Sequence, residues 1–169
     1  AALEKLAPSH PYSRVGAEHC ARYAQEAAEL LRGAGIRVAG DSRRNHFRIT
    51  PMGKARATWL TIDGYLTTDE VDRLPFRTVC IVNVEGFLDF YPEFIAEEFR
   101  KLGIECRFGS FNHPDLERIR KNPSEMRSAN IARVFDREAN LEALAEELRR
   151  LAPTCDALIL PALIGLVRN

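Results

Sequence analysis

FRTVCIVNVEGFLDFYPEFIAEEFRKLGIECRFGSF, from Phe76 to Phe111, decides the fold of this chain. Thr78-Val79-Cys80-Ile81-Val82-Asn83-Val84 is a continuous apolar, β-branched run, the composition of a strand buried on both faces. Glu85-Gly86 breaks it. Phe90, Tyr91, Phe94, Ile95, Phe99 and Leu102 then recur at helical spacing, opposite Glu93, Glu97, Glu98, Arg100 and Lys101. Gly103 stands where a glycine closes a helix, and Ile104-Glu105-Cys106-Arg107-Phe108 reads as the next strand. Strand, helix and strand within roughly 30 residues make a βαβ crossover, which is right-handed in almost every known case.

Upstream, Ala7 to Ser13 is a proline-punctuated entry, followed by an alanine-rich helix over Ala17–Arg32. The apolar stripe of that helix runs through Cys20, Ala21, Ala24, Ala27, Ala28 and Leu31. Gly33-Ala34-Gly35 ends it, and Ile36 to Ala39 forms a short strand. His46 to Thr50 and Lys54 to Leu60 flank Pro51-Met52-Gly53, the pattern of a β-hairpin around a glycine-containing loop. Asp63-Gly64 is a turn signal, and Thr68-Asp69-Glu70 offers a helix start.

Downstream, His113-Pro114-Asp115 opens a short helix through Leu116 and Ile119. Asn122 as N-cap, Pro123 at the first helical position and Glu125 two residues on predict one helix running to about Phe135. Asp136 is the expected cap of the next, whose Leu141, Leu144, Leu148 and Leu151 face the core. Cys155 to Leu160 then reads as a third buried parallel strand. The expected class is α/β. A small parallel sheet has strands near 77–84, 104–109 and 156–160, and an antiparallel hairpin spans 46–60. Residues 1–64 form a helix-and-hairpin part of the same unit as the βαβ-containing region 65–169.

The composition, 46% hydrophobic and 28% charged, suits a globular protein and argues against disorder. Lys plus Arg and Asp plus Glu both total 24, so net charge gives no reason to expect nucleic acid or an anionic membrane as partner. Ala157 to Val167 is too short to span a bilayer and contains Pro161, and no signal peptide is visible. Cys20, Cys80, Cys106 and Cys155 lie far apart with no C-x-x-C, which predicts reduced, buried thiols of a cytoplasmic protein. The chain stays apolar from Pro161 to Val167, which predicts that it is a fragment of something longer.

Ligands of open parallel sheets bind beyond the carboxyl ends of the strands. That edge offers Asn83, Glu85, Gly86 and Asp89, then Ser110 and Asn112, then Pro161. A helix starting near Gly86 would present N–H groups to an anion, whereas the plainer reading is that Gly86 only turns the chain. Neither G-x-G-x-x-G nor G-x-x-x-x-G-K-[ST] occurs. Arg127, Asn130 and Arg133, spaced by three, share a polar face that could hold a phosphate or carboxylate, or could be a solvated face with ion pairs. His10, His19, His46 and His113 show no spacing of a triad or a metal site, so no metal is expected. Trp59 reads as core or as an interface anchor.

Five groups of residues occur together in a characteristic order. They are His10-Pro11-Tyr12-Ser13; Arg48 to Gly53 with Thr58-Trp59-Leu60; Gly86 to Phe90; Asn122 to Asp136; and Thr154-Cys155 with Pro161 and Gly165-Leu166. Their set resembles the family of B subunits of anaerobic glycerol-3-phosphate dehydrogenase, a flavoprotein family, over nearly the whole chain. The resemblance implies a much longer parent that begins with a glycine-fingerprint βαβ and ends with a segment completing the flavin site. This chain is similar to the part between them. It further implies FMN (or FAD) in the intact parent protein, with none held tightly by this chain alone. It implies oxidation of glycerol 3-phosphate to dihydroxyacetone phosphate, with the A subunit and the iron–sulfur C subunit as partners. The iron–sulfur protein would hold the complex at the inner face of the membrane. On this reading the chain caps the flavin or docks on the A subunit, with Arg127, Asn130, Arg133, Gly86 and Asp89 on the inner face. A contrasting expectation is a non-catalytic α/β binding or assembly module that docks through Trp59 and Arg48 of the hairpin.

Overall fold

A computed structural model describes residues 5–163; the Ile164–Val167 part of the apolar end and the Gly165-Leu166 pair lie outside them. The chain clusters into two compact units, Ala1–Ile49 with Ala55–Val71, and Thr50–Lys54 with Asp72–Asn169.

The first unit begins with helices α1 (Pro11–Val15) and α2 (Ala17–Gly33). Cys20, Ala24, Ala27, Ala28 and Leu31 of the predicted stripe are covered to varying degrees, while Ala21 is exposed. Strand β1 (Val38–Gly40) pairs antiparallel with β4 (Leu60–Ile62). The predicted hairpin is present as β2 (His46–Ile49) and β3 (Ala55–Thr58), with His46 opposite Thr58 and Ile49 opposite Ala55. A short β5 (Thr67–Thr68) adds to the other edge of β2, so Thr68-Asp69-Glu70 does not start a helix. The Thr68 hydroxyl instead accepts from the Glu70 N–H and donates to the Glu70 carbonyl, a local alternative to a helical turn.

The second unit is built on β6 (Thr78–Val84), the predicted central strand. Val79, Ile81 and Val82 are at most 1% exposed, because both faces are covered. Helix α3 (Pro92–Lys101) carries the chain to β7 (Glu105–Phe111), parallel to β6 with Thr78 opposite Glu105 and Val84 opposite Phe111. This is the βαβ crossover expected from the sequence. The helix starts at Pro92 rather than Phe90, and buries Ile95, Ala96 and Phe99. Gly103 closes it at φ +76, with the Gly103 N–H on the Arg100 carbonyl and the Ile104 N–H on the Phe99 carbonyl. The Thr50–Lys54 hairpin tip belongs to this unit, and Gly53 at φ +76 lies so close to Ile95 that a Cβ would sit 2.8 Å from its Cα.

Helices α4 (Pro114–Arg120), α5 (Ser128–Phe135) and α6 (Glu138–Leu151) lead to β8 (Ala157–Ile159), which pairs parallel with β6 and completes the order β7-β6-β8. As an edge strand, β8 is half-buried rather than fully buried. The single helix predicted from Asn122 to Phe135 is two elements. Asn122 does cap, accepting from the Ser124 N–H, but Pro123–Glu125 is one 3-10 turn. Met126 at φ −73, ψ 58 leaves the helical region so that its side chain can be buried. Asp136 likewise ends α5 instead of opening α6, its N–H bonding back to the Ala132 carbonyl. Leu144 is buried, Leu148 and Leu151 are half-buried, and Leu141 is exposed. Cys80 is buried, whereas Cys20, Cys106 and Cys155 are only partly covered; all four are free thiols.

Candidate functional site

The carboxyl ends of β6 and β7 carry a cluster of hydrogen-bonded polar side chains in the second unit. The Glu85 N–H donates to the Phe111 carbonyl, extending the β6–β7 ladder by one rung before the chain turns. Gly86 then takes φ +83, a conformation in which a side chain is strained. A Cβ there would lie 2.8 Å from Cδ of Arg120 and 3.7 Å from Cε of Met126. So Gly86 turns the chain, the plainer of its two expected roles. The helix expected near it begins six residues later, at Pro92, which has no N–H to offer an anion.

Asn83 fixes this loop. Its Nδ2 donates to the carbonyls of Phe87 at 3.0 Å and Phe90 at 3.1 Å, while Phe87 and Phe90 are themselves buried. Between them Leu88 and Asp89 are held out to solvent.

Arg120 sits over Gly86 and is saturated with carboxylates. Its Nη1 donates to Glu85 Oε1 at 2.7 Å, and its Nη2 and Nε reach both oxygens of Glu117. Glu117 also accepts from Asn112 Nδ2. The amide of Asn112 and the guanidinium of Arg120 together hold the Glu117 carboxyl below the usual carboxylate range, and Glu117 and Glu85 in turn raise the Arg120 guanidinium. His113 caps α4, its Nδ1 accepting from the Asp115 N–H at 3.3 Å. Asn140, 4% exposed, donates to Asp115 Oδ2 and to the Val134 carbonyl, tying α4, α5 and α6 together.

Of the residues singled out from the sequence, the structure brings Gly86, Asp89 and Arg127 to one place. Arg127 Nη1 lies 3.8 Å from Asp89 Oδ2, with both side chains more than half exposed. Arg133 is exposed and donates to Asn130 Oδ1 at 2.7 Å, while Asn130 Nδ2 donates to the Glu125 carbonyl. Arg127 immediately precedes α5 rather than lying within it. Trp59 and Arg48 belong to the first unit. Trp59 is half-buried, with its carbonyl under Gly40, and Arg48 lies 5.5 Å over the ring of Tyr65. The sequence reading missed Arg120, whose partner Glu85 is 35 residues away in the chain. Its one local signal is the three-residue spacing from Glu117.

Arg127 and Arg133 are exposed guanidiniums, one loosely paired with Asp89 and the other bonded to the amide oxygen of Asn130. The side of Gly86 on which a Cβ would stand is occupied by the stem of Arg120, with Met126 beyond it. Among the described residues, no group of three or more His, Cys, Asp or Glu side chains could hold a metal ion, and no helix is long and apolar enough to cross a membrane.

A sequence model for the family described as FAD binding domain matches residues 1–168. The chain is similar to the B subunit of anaerobic glycerol-3-phosphate dehydrogenase from Yersinia enterocolitica, 42% identical over 97% of this chain and 39% of that protein. It is 44% identical to the protein of the same name from Pectobacterium carotovorum, over 97% of this chain and 39% of the relative. The identity to that of Actinobacillus pleuropneumoniae is 33%, over the same shares. The chain thus spans about 39–40% of the length of the curated relatives it matches. No solved structure matches it.

Proposed function

The chain belongs to the FAD binding domain family, and from that premise we propose that it is the cap or docking part of the flavoprotein B subunit of an anaerobic glycerol-3-phosphate dehydrogenase. The intact enzyme would oxidise glycerol 3-phosphate to dihydroxyacetone phosphate and pass the electrons to quinone. The observation that carries this reading is identity of 41–44% across 97–99% of the chain to proteins bearing that name. Flavin, FMN or FAD, supplies the hydride chemistry in such an enzyme. On this reading, flavin would be held chiefly by parts of the parent beyond this chain. The A subunit and the iron–sulfur C subunit would be the partners, with the iron–sulfur protein providing attachment to the inner face of the membrane.

Within this reading, Arg127 and Arg133 orient an anionic group, with Asn130 steering the Arg133 guanidinium and Asp89 holding Arg127 loosely until a stronger acceptor arrives. The test is substitution of both arginines by alanine in the full-length protein within its complex. A charge-assisted contact to phosphate contributes about 1.5–3 kcal/mol, so KM for glycerol 3-phosphate should rise by about 10-fold or more with flavin content unchanged. Unchanged activity, flavin content and assembly would sink the assignment.

One observation favours docking as the second reading. Leu88 is 66% exposed on the same loop as Asp89, and Tyr91 and Phe94, with ring centroids 5.4 Å apart, are 48% and 43% exposed. A cluster of this kind suits a contact between proteins. In that case Leu88→Ser would reduce recovery of the assembled complex while leaving KM of whatever complex forms unchanged.

A further inference from the structure

The parallel sheet of the second unit, in the order β7-β6-β8, has two edges that are finished differently. β8 is three residues long and is soon followed by Pro161, two devices that keep another strand from pairing there. β7 is seven residues long, and its register with β6 runs from Thr78–Glu105 to Val84–Phe111 without a bulge. It contains no proline and no lysine, and its two charges, Glu105 and Arg107, are paired with each other at 2.8 Å. Phe108 stands at its midpoint, 50% exposed. A long, unbroken edge with an exposed apolar residue is a template for another strand.

The ladder identifies the backbone groups that face outward. The Glu105 N–H donates to the Arg77 carbonyl, and the Phe111 carbonyl accepts from the Glu85 N–H. Backbone groups alternate in direction along a strand, so Glu105, Arg107, Gly109 and Phe111 turn theirs to β6. Cys106, Phe108 and Ser110 turn theirs to the other side, where β7 has no strand neighbour among the described residues. Phe108 and Ser110 are exposed. A space of about 480 Å³, lined by Ser110 and Asn112 together with Ala143 and Glu146, lies open beside the carboxyl end of the strand, so α6 does not close over it.

Three outward residues at equal spacing make this edge complementary to itself. In an antiparallel pair about a two-fold axis at Phe108, Phe108 meets the same residue of a second copy, and Cys106 and Ser110 meet each other. Every outward N–H and C=O then gains a partner. The two Phe108 rings stand side by side across the axis, a favourable cross-strand pair. On the other face Arg107 falls opposite Gly109, which has no side chain to displace, and Glu105 falls opposite Phe111, so no like charges stand directly opposite. We propose that the free edge of β7 is a self-association surface, on which a second copy of this chain pairs antiparallel and continues the sheet. An edge contact buries less than the roughly 1,600 Å² of a standard interface, so the dimer is weak and forms as concentration rises. The proposal does not depend on the glycerol-3-phosphate reading.

Sedimentation equilibrium of the full chain from about 10 μM to about 1 mM tests it, with a monomer–dimer Kd on the order of 100 μM expected for so small an interface. Ser110→Pro removes an outward N–H and puts a ring on the edge while sparing the β6 ladder, and Phe108→Lys sets two ammonium groups against each other at the axis. Each should weaken association by about 10-fold or more while keeping the circular dichroism of the unsubstituted chain. Phe108→Cys gives a reading that needs no loss of binding. Residues opposite each other in such a pair have Cα atoms about 5.5 Å apart, within disulfide reach, so a mild thiol oxidant should join two chains through position 108. A monomer throughout the concentration range, association that neither variant weakens, or a crosslink that maps only to other cysteines would overturn the proposal. So would slow amide exchange of Cys106, Phe108 and Ser110 in the dilute monomer, which would give the edge to a segment of the same chain.

Discussion

Replacing Asn83 tests the idea that one side chain shapes the whole rim of the candidate site. Its Nδ2 holds the Phe87 and Phe90 carbonyls at 3.0 and 3.1 Å, and its Oδ1 accepts from the Val84 N–H at 2.8 Å. Asn83→Ala deletes the two loop-spanning bonds and strands two carbonyls of residues that are 5% and 7% exposed. Each bond contributes about 0.5–1.5 kcal/mol net, and each stranded carbonyl adds part of its desolvation cost, so a loss of about 2–4 kcal/mol is expected. For a chain of this size that is a drop of about 5–15 °C in Tm. Asn83→Asp should cost at least as much, because it places a carboxylate oxygen against two carbonyl oxygens that had a donor. Thermal unfolding gives the global value, and amide exchange resolves whether the loss is felt first in residues 85–91. Loss of less than about 0.5 kcal/mol in Asn83→Ala, or unaltered exchange across that loop, would refute the reasoning, because the loop would then be held by its flanking aromatics alone.

Gly86→Ala forces a Cβ into a left-handed conformation and against the stem of Arg120, and should cost about 1–3 kcal/mol in denaturant unfolding. In an Arg120→Ala background the contact part vanishes and only the conformational part remains, so the cost should fall measurably. Asp156 accepts from the backbone N–H groups of Arg77 and Thr78, both at 2.9 Å, and these bonds hold its carboxyl below the usual range. Its contribution is therefore present above the unfolded value of about 3.9 and is lost as pH falls through the lower folded value. Asp156→Asn should be less stable than the parent by a constant amount above about pH 5, with the difference closing below about pH 4. A difference that stays constant down to acid unfolding would show that the carboxylate charge contributes nothing there.

The parallel sheet was legible because its signal is local. The run Val79–Val82 at the centre of β6 must be apolar when both faces are covered, and the Gly103 closure follows from a positive φ that glycine supplies without strain. The split of the segment after Asn122 was not legible. The cap and proline pattern is correct as far as it goes, but the tertiary contact that buries Met126 beside Gly86 outweighs the propensity of the segment to continue as helix. Asp136 misled for a related reason. Asp is favoured at an N-cap, yet here its N–H continues the α5 ladder, so the residue serves the preceding helix. At the site, Asp89 with Arg127 could be named from charge and order in the chain, whereas the Glu85–Arg120 bond joins residues that only the fold brings together.

The division of labour among the arginines at the rim follows from which carboxylates they meet. Arg120 has Glu85 and Glu117 within 2.6–2.7 Å, so an incoming anion would have to displace two partners, and the guanidinium serves structure by bracing the turn at Gly86. Among the described residues, Arg127 has one ion-pair partner, Asp89, at 3.8 Å and exposed, an arrangement that contributes little to stability and is given up cheaply. Among the described residues, Arg133 is tied only to the neutral amide of Asn130. On the proposed reading, recognition of an anion would fall to Arg127 and Arg133, and both lie in solvent where ions screen them. Any anion bound by this rim alone is therefore weakly held at about 0.15 M salt, where the Debye length is about 8 Å. Tight binding would require a neighbouring surface to close over the arginines and exclude water. Leu88, Tyr91 and Phe94 lie on the same loop and the start of α3, where such a surface would make its contact, so capping a ligand and docking a partner would be two consequences of one closure.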